Sequence, residues 1–204
     1  MADETDNVVL ASFGRGMTLD LALSPLPYRA VVVMAQRVEA SVQDLICEVL
    51  GIYHYFIKQY TADPSLELIL QNSRERYSLH FSETFLGRYI ARLKEGPDHL
   101  QRPQQEGDAR GNSSLTEPTN RYPVQLHLSQ QGNQTLLQMS NTLQAPDIAA
   151  VLCEAFPFYQ QLLQEYATDH RTEIILRHSG TARRISFPDT LLTRYAERMK
   201  RESE

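Results

Sequence analysis

The feature that most constrains this chain is a segment that occurs twice. Residues 86–96 read LGRYIARLKEG, and residues 192–202 read LTRYAERMKRE. A shift of 106 positions aligns the 59 residues that end at position 96 with the 59 that end at position 202, without a gap and with 16 identical pairs. We therefore expect an internal duplication. Two copies favour a paired unit over a long solenoid.

A polar segment separates the two copies. Proline, glycine, glutamine, serine and charged residues dominate residues 97–121, which contain almost no large apolar side chain. Such a segment buries too little surface to offset the entropy lost on ordering. The predicted organisation is therefore a first repeat with a short N-terminal extension (1–96), a flexible linker (97–121) and a second repeat (122–204).

Each repeat reads as two strands, a helix, a hairpin and a final helix. Alternating or continuous apolar residues predict strands at MTLDLALS (17–24) and YRAVVVMAQ (28–36), joined by the turn residues SPLP. In the second copy PVQLHLSQ and QTLLQMSN flank QGN, which is typical of a hairpin turn. Long helices are expected near 41–60 and 147–166, with Ser41 and Asp147 as N-caps.

The predicted fold class is α+β, with two ββαββα units in a pseudo-twofold arrangement and antiparallel sheets. At the level of element order, this unit resembles small α+β folds that serve as chaperones and adaptors. Two such copies can pair as the subunits of a homodimer do. A linker of about 25 residues spans roughly 25–30 Å, which is enough to connect them.

Composition narrows the class of protein. The net charge of −5 and pI near 5.7 argue against broad binding to nucleic acid or to anionic membranes. Two cysteines are too few for a disulfide framework, and the acidic N-terminus lacks the apolar core of a signal peptide. The longest apolar runs are far too short to span a membrane. We expect a cytoplasmic protein, and the preference for arginine over lysine suggests a bacterial source.

Seven arginines form the candidate partner-binding surface. Two pairs lie one helical turn apart in the duplicated final helices, and three more make the second copy's later hairpin basic: Arg88, Arg92, Arg194, Arg198, Arg177, Arg183 and Arg184. These side chains could bind an acidic partner or phosphates. Alternatively, they form a solvated face whose cations suit the helix C-termini.

For the other features we favour a structural explanation over a functional one. Aromatic side chains in the long helices could stack on bases, but few basic residues accompany them, so a core is favoured. Gly51 and Pro157 align inside the long helices, where both residue types weaken a helix, and could mark a kink or a groove. Cys47 and Cys153 align as well and are typical of buried thiols. No metal-ligand spacing, phosphate loop or nucleophile motif is present.

We therefore predict a non-enzymatic protein–protein interaction module: an adaptor, chaperone or assembly or regulatory factor of a larger bacterial complex. No cofactor and no metal are expected, and the chain should be a monomer or homodimer that does not insert into membranes. The first alternative is a nucleic-acid-linked regulator that uses the same arginines. The second is a small-molecule binder or enzyme with a site between the repeats.

Overall fold

The computed structural model describes residues 5–8, 16–96 and 121–203. The predicted linker, 97–121, lies outside the described residues except for Arg121. The strands are β1 (Thr5–Asn7), β2 (Met17–Leu23), β3 (Glu67–Gln71), β4 (Arg76–Ser78), β5 (Tyr122–Leu128), β6 (Glu173–His178) and β7 (Thr181–Ser186). The helices are α1 (Pro25–Arg37), α2 (Val42–Ala62), α3 (Phe85–Glu95), α4 (Gln130–Leu143), α5 (Ile148–Thr168) and α6 (Leu191–Ser203).

The fold class is α+β, but the predicted order ββαββα is wrong. From β2 onward each half reads strand, helix, helix, strand, strand, helix, because the second element is a helix in both. Residues 28–36, predicted as a strand, lie in α1. The SPLP segment is the start of that helix: Ser24 is the N-cap, and proline is favoured in the first helical turn, where no backbone donor is needed.

The same error occurs in the second half. The QGN segment at 131–133 was predicted as a hairpin turn, but it forms the first turn of α4. The Ser129 side chain caps this helix by accepting a hydrogen bond of 3.0 Å from the Gly132 backbone N–H. Leu136, Met139 and Leu143 are buried at helical spacing. The resemblance to small ββαββα folds depended on that element order, so it does not hold for the observed structure.

The two long helices form as predicted. Ser41 and Asp147 are their N-caps, accepting hydrogen bonds from the backbone N–H groups of Asp44 and Ala150 at 3.1 and 2.7 Å. Helix α2 continues through Gly51 and α5 continues through Pro157, so neither residue ends its helix.

Strands from both halves make up one sheet. The five-stranded sheet has the order β1-β7-β6-β3-β4, so its central pair, β3 and β6, joins the halves. That pairing is antiparallel, with Ile69 opposite Ile175. Strands β2 and β5 form a separate antiparallel ribbon, with Asp20 opposite Gln125. One pairing was not predicted: β1 lies parallel to β7.

One hydrophobic core runs through both halves. Alternate residues of the ribbon, including Leu21 and Leu126, face this core, and α2 and α5 pack against each other within it. The aromatic side chains of the long helices occupy the same core, with Tyr53, Phe56 and Tyr159 at most 1% exposed. Within the described ranges no helix is both long and apolar enough to cross a membrane.

Candidate functional site

Three of the predicted arginines lie on adjacent strands but do not share one face. Arg177 and Arg184 lie on the same face of the five-stranded sheet, where Arg177 pairs with Glu67 and Arg184 pairs with Glu173 at 3.1 Å. Arg183, the neighbour of Arg184, points to the opposite face because side chains alternate along a strand. The local basic cluster is therefore divided by the sheet.

Arg183 faces the helices at the margin of the sheet. Its guanidinium lies 2.8 Å from the Asp6 carboxylate of β1 and also donates a hydrogen bond to Gln59 of α2. Each of these contacts joins the first half or its N-terminal extension to the second half. Arg183 therefore holds parts of the chain together that are more than a hundred residues apart in sequence.

The second arginine of each final helix binds the end of another helix. Arg92 of α3 donates to the Thr142 carbonyl oxygen near the C-terminus of α4, at 3.4 Å. Arg198 of α6 donates to the carbonyl oxygen of Arg37, the last residue of α1, and pairs with Glu39. A cation at a helix C-terminus is stabilising because the terminal carbonyls lack partners and carry partial negative charge.

The first arginine of each pair is more exposed. The Arg88 guanidinium lies over the Phe85 ring, 4.6 Å from its centroid. Arg194 is exposed, and its charge lowers the pKa values of Glu48 and Tyr159, although burial raises both overall. In each predicted pair, therefore, the first arginine faces solvent and the second binds the end of another helix.

Two half-buried glutamates, Glu48 and Glu154, form a network that was not predicted from the sequence. Glu48 of α2 accepts hydrogen bonds from the Tyr159 hydroxyl at 2.7 Å and from the backbone N–H groups of Leu191 and Leu192, the latter at 2.9 Å. Its carboxylate therefore caps the N-terminus of α6, in the other half of the chain. Burial raises the pKa of Glu48, and the hydrogen bonds oppose this shift.

The aligned residues of the other half make the equivalent contacts at the N-terminus of α3. Glu154 of α5 accepts hydrogen bonds from the Tyr53 hydroxyl and from the backbone N–H groups of Phe85 and Leu86. Burial raises the pKa of Tyr53 far above its usual value, as does the adjacent carboxylate. Both Tyr–Glu pairs were visible in the sequence as identical aligned positions, but neither pattern indicated that they bond across the two halves.

A cleft of about 420 Å³ lies between the halves, and Asp63 and His178 are among the residues that line it. His178 Nδ1 contacts the Asp63 carboxylate and lies 2.9 Å from the Ser65 hydroxyl. A nucleophilic triad requires the acid and the serine on different ring nitrogens. Here both lie at Nδ1, so this group holds the hairpin turn against the end of α2 and lacks the geometry of a Ser-His-Asp triad.

An aspartate performs the equivalent task at the other hairpin. The Asp169 carboxylate accepts hydrogen bonds from the hydroxyl and the backbone N–H of Ser73, which lowers its pKa to about 2. A cleft of about 260 Å³ borders this contact. Among the described residues, no three His, Cys, Asp or Glu side chains gather where they could hold a metal ion.

The exposed large apolar side chains of the described residues lie away from the five-stranded sheet. They belong to β2, α1 and α4: Met17 is 51% exposed, Leu26 79%, Val33 61% and Leu137 49%. This surface was not predicted, because residues 28–36 were expected to form a strand. As a helix, the apolar run turns Val31 inward and Val33 outward.

The second half contributes an uncharged segment beside this surface. Residues 122–146, which include β5 and α4, contain no Asp, Glu, Lys or Arg, although 22% of the chain is charged. Depletion of charge is a property of the centres of protein–protein interfaces. Of the exposed apolar side chains, Leu137 lies in this uncharged segment, whereas Met17, Leu26 and Val33 lie on β2 and α1, which carry charged residues.

Comparison with known proteins adds no assignment. No protein-family model matches the chain, and the searches of curated proteins and of solved structures find no match.

Proposed function

We propose that this chain is a non-enzymatic protein–protein interaction module, built by internal duplication as a pseudo-dimer and acting in the cytoplasm as an adaptor, chaperone or assembly factor. The observation that carries the proposal is that the exposed large apolar side chains of the described residues all belong to three elements outside the five-stranded sheet, β2, α1 and α4. Grouped apolar side chains on the surface of a folded protein mark interaction sites. We call these three elements the docking layer.

Strand register supports the duplication. Ile69 and Ile175 are 106 positions apart, which is the shift that aligns the two copies, and they lie opposite each other in the central strand pair. Asp20 and Gln125 are 105 positions apart, which is the shift that aligns LDLALS with VQLHLS, and they lie opposite each other in the ribbon. If a twofold axis relates the two copies, a residue that lies opposite its own aligned equivalent must lie at that axis. Both strand pairs contain such a position.

Reciprocal hydrogen bonds support the same arrangement. The bond between Tyr159 and Glu48 becomes that between Tyr53 and Glu154 when the aligned positions are exchanged. In a homodimer, such reciprocal contacts occur across a twofold interface. Here both partners of each contact belong to one chain, so the paired state does not depend on protein concentration.

The predicted arginines contribute less to this proposal than the docking layer does. Arg177, Arg183, Arg184 and Arg198 have carboxylate partners within the chain. Strand addition to the five-stranded sheet also has little support, because its edge strands β1 and β4 have three residues each, and short edges disfavour pairing with another chain.

The test is affinity capture of the tagged full-length protein from its native extract, with and without nuclease, followed by mass spectrometry. We expect a stoichiometric protein partner that survives nuclease. Loss of every partner on nuclease treatment, together with binding that weakens steeply with salt, would instead support a nucleic-acid-linked regulator. Capture of nothing would overturn the interaction module.

One observation favours a second candidate, a small-molecule binder. The cleft of about 420 Å³ between Gln59, Asp63, Leu176 and Arg183 falls within the size range of ligand pockets, about 300–1,000 Å³. It lies between the two halves, although not at Gly51 or Pro157. Thermal stabilisation by a member of a metabolite panel, lost on Arg183→Ala, would support this candidate, and the absence of any shift would count against it.

A further inference from the structure

Helix α1 presents a face of unusual composition. At about 100° per residue, Leu26, Arg29, Val33 and Arg37 project from one side of the helix. All four are exposed, while Val31 and Met34 face the core. The outward face of α1 therefore combines two large apolar side chains with two cations.

The positions of α4 that match this face carry none of these side chains. Ser24 and Ser129, which precede α1 and α4, have nearly the same backbone angles, with φ of −66° and −67° and ψ of 162° in both. The shift of 105 that relates these serines also relates Leu26, Arg29 and Val33 to the exposed residues Gln131, Gln134 and Gln138. Glutamine is thus compatible with all three positions in this fold, so folding alone does not explain leucine, arginine and valine on α1.

The charge of this face is one-sided. Residues 24–38 contain two arginines and no acidic residue, in a chain whose net charge is −5. Arg37 is held by the Tyr195 hydroxyl at 2.8 Å, but Arg29 forms no ion pair or hydrogen bond with any residue in the described ranges. An unpaired cation between two exposed apolar side chains is complementary to an acidic, amphipathic surface.

We propose that the outward face of α1 binds an acidic amphipathic segment of another protein. Leu26 and Val33 are separated by about 10.5 Å along the helix axis, at 1.5 Å per residue. A helical segment with apolar side chains seven positions apart and a carboxylate between them would contact Leu26, Arg29 and Val33 together. This inference rests on the proposed interaction function and assigns the partner site to one half of the pseudo-dimer.

The test compares two matched triple variants of the full-length protein. The first, Leu26→Gln with Arg29→Gln and Val33→Gln, gives α1 the side chains that α4 carries. The second, Gln131→Ala with Gln134→Ala and Gln138→Ala, changes the corresponding face of α4. Both should keep the wild-type circular dichroism spectrum and Tm. We expect the α1 variant to reduce capture of the partner at least tenfold, and the α4 variant to leave it within about twofold of wild type.

Photo-cross-linking identifies the segment of the partner that contacts α1. A photo-reactive phenylalanine analogue is placed at position 33, or at position 138 as the control, and the cross-linked peptides are sequenced by mass spectrometry. We expect cross-links from position 33 to a peptide rich in Asp, Glu and large apolar residues. Cross-links to nucleic acid, to a basic peptide or to a second copy of this chain would overturn the proposal.

Failure of this inference is separable from failure of the proposed function. If wild type captures a nuclease-resistant partner and the α1 variant captures it equally well, the interaction function stands and the α1 assignment is wrong. If wild type captures nothing, both are wrong. A single Arg29→Gln variant isolates the charge contribution: it should weaken capture at low salt and have a smaller effect at high salt.

Discussion

Replacing Glu48 by alanine and Tyr159 by phenylalanine, singly and together, measures the bond that joins the two halves most directly. The Glu48 carboxylate accepts hydrogen bonds from the Tyr159 hydroxyl and from the first two backbone N–H groups of α6. Removing the hydroxyl leaves the carboxylate with two donors. Removing the carboxylate leaves all three donors without that acceptor, in a buried position.

These contacts set the expected magnitudes. A hydrogen bond to a charged group contributes about 1.5–3 kcal/mol, so Tyr159→Phe should lower the free energy of unfolding by about 2 kcal/mol. Glu48→Ala also removes a helix cap, which adds about 0.5–2 kcal/mol, for a total of about 3–4 kcal/mol. Once Glu48 is absent, the hydroxyl has lost its partner. The double variant should therefore be about as unstable as Glu48→Ala alone, which corresponds to a coupling energy of about 2 kcal/mol.

The assay is urea unfolding followed by far-ultraviolet circular dichroism, with the free energies obtained by linear extrapolation. Tyr53→Phe combined with Glu48→Ala is the matched control, because Tyr53 bonds to Glu154 and should act independently of Glu48. If the effects of Tyr159→Phe and Glu48→Ala add to within about 0.5 kcal/mol, the reasoning is refuted.

Three further predictions concern separate features. An added Cβ at Gly87 would lie 1.6 Å from the Phe81 carbonyl oxygen, so Gly87→Ala should lower the free energy of unfolding by about 3 kcal/mol; an unchanged urea midpoint would contradict this packing. The folded pKa of Asp169 is about 2, below the usual value of about 3.9, so its contribution to stability is present above pH 4 and is lost as the pH falls toward 2. Asp169→Asn should remove this part of the acid dependence, measured as urea midpoints between pH 5 and 2, and an identical pH profile would exclude the assignment. Burial raises the pKa of both thiols, that of Cys47 to about 11, but Cys153 is the more exposed, so neither is the fully buried thiol that the sequence predicted and Cys153 should react with a thiol reagent about tenfold faster; equal rates in the two single-cysteine variants would argue otherwise.

Local signals in the sequence predicted the long helices and the later hairpins correctly. Ser41 and Asp147 marked helix starts because a short polar side chain before an apolar periodic run satisfies the first backbone donors. The strand prediction for residues 28–36 was wrong because three consecutive valines fit a strand as well as one turn of a helix that packs against the core. The prolines before them were the better signal, since proline is compatible with the first turn of a helix.

The contacts between the two halves could not be predicted from a single sequence. Glu48 and Tyr159 are identical in type to their aligned counterparts, yet their bond crosses 111 positions, and one sequence carries no direct record of contacts at that distance. The arginines show that residue spacing does not determine what a side chain contacts. Their spacing indicated a shared face, but whether a guanidinium meets solvent or a helix terminus, as Arg198 meets the Arg37 carbonyl, depends on how the halves pack.

The central claim is that the two halves pair within one chain about an axis that passes through the ribbon. The most direct measurement is disulfide formation between cysteines at positions 20 and 125, in a chain whose Cys47 and Cys153 are replaced by alanine. Opposed residues in antiparallel strands have Cα atoms about 4.5–5.5 Å apart, within the range of about 4.4–6.8 Å that a disulfide allows. Diagonal positions lie about 7–8 Å apart, so the pair Asp20→Cys and His127→Cys is the control.

We predict that oxidation of the 20/125 pair gives a rapidly formed disulfide within one chain, with an unchanged circular dichroism spectrum, while the control pair remains largely reduced. A disulfide that links two chains, or equal oxidation of the two pairs, would contradict the account.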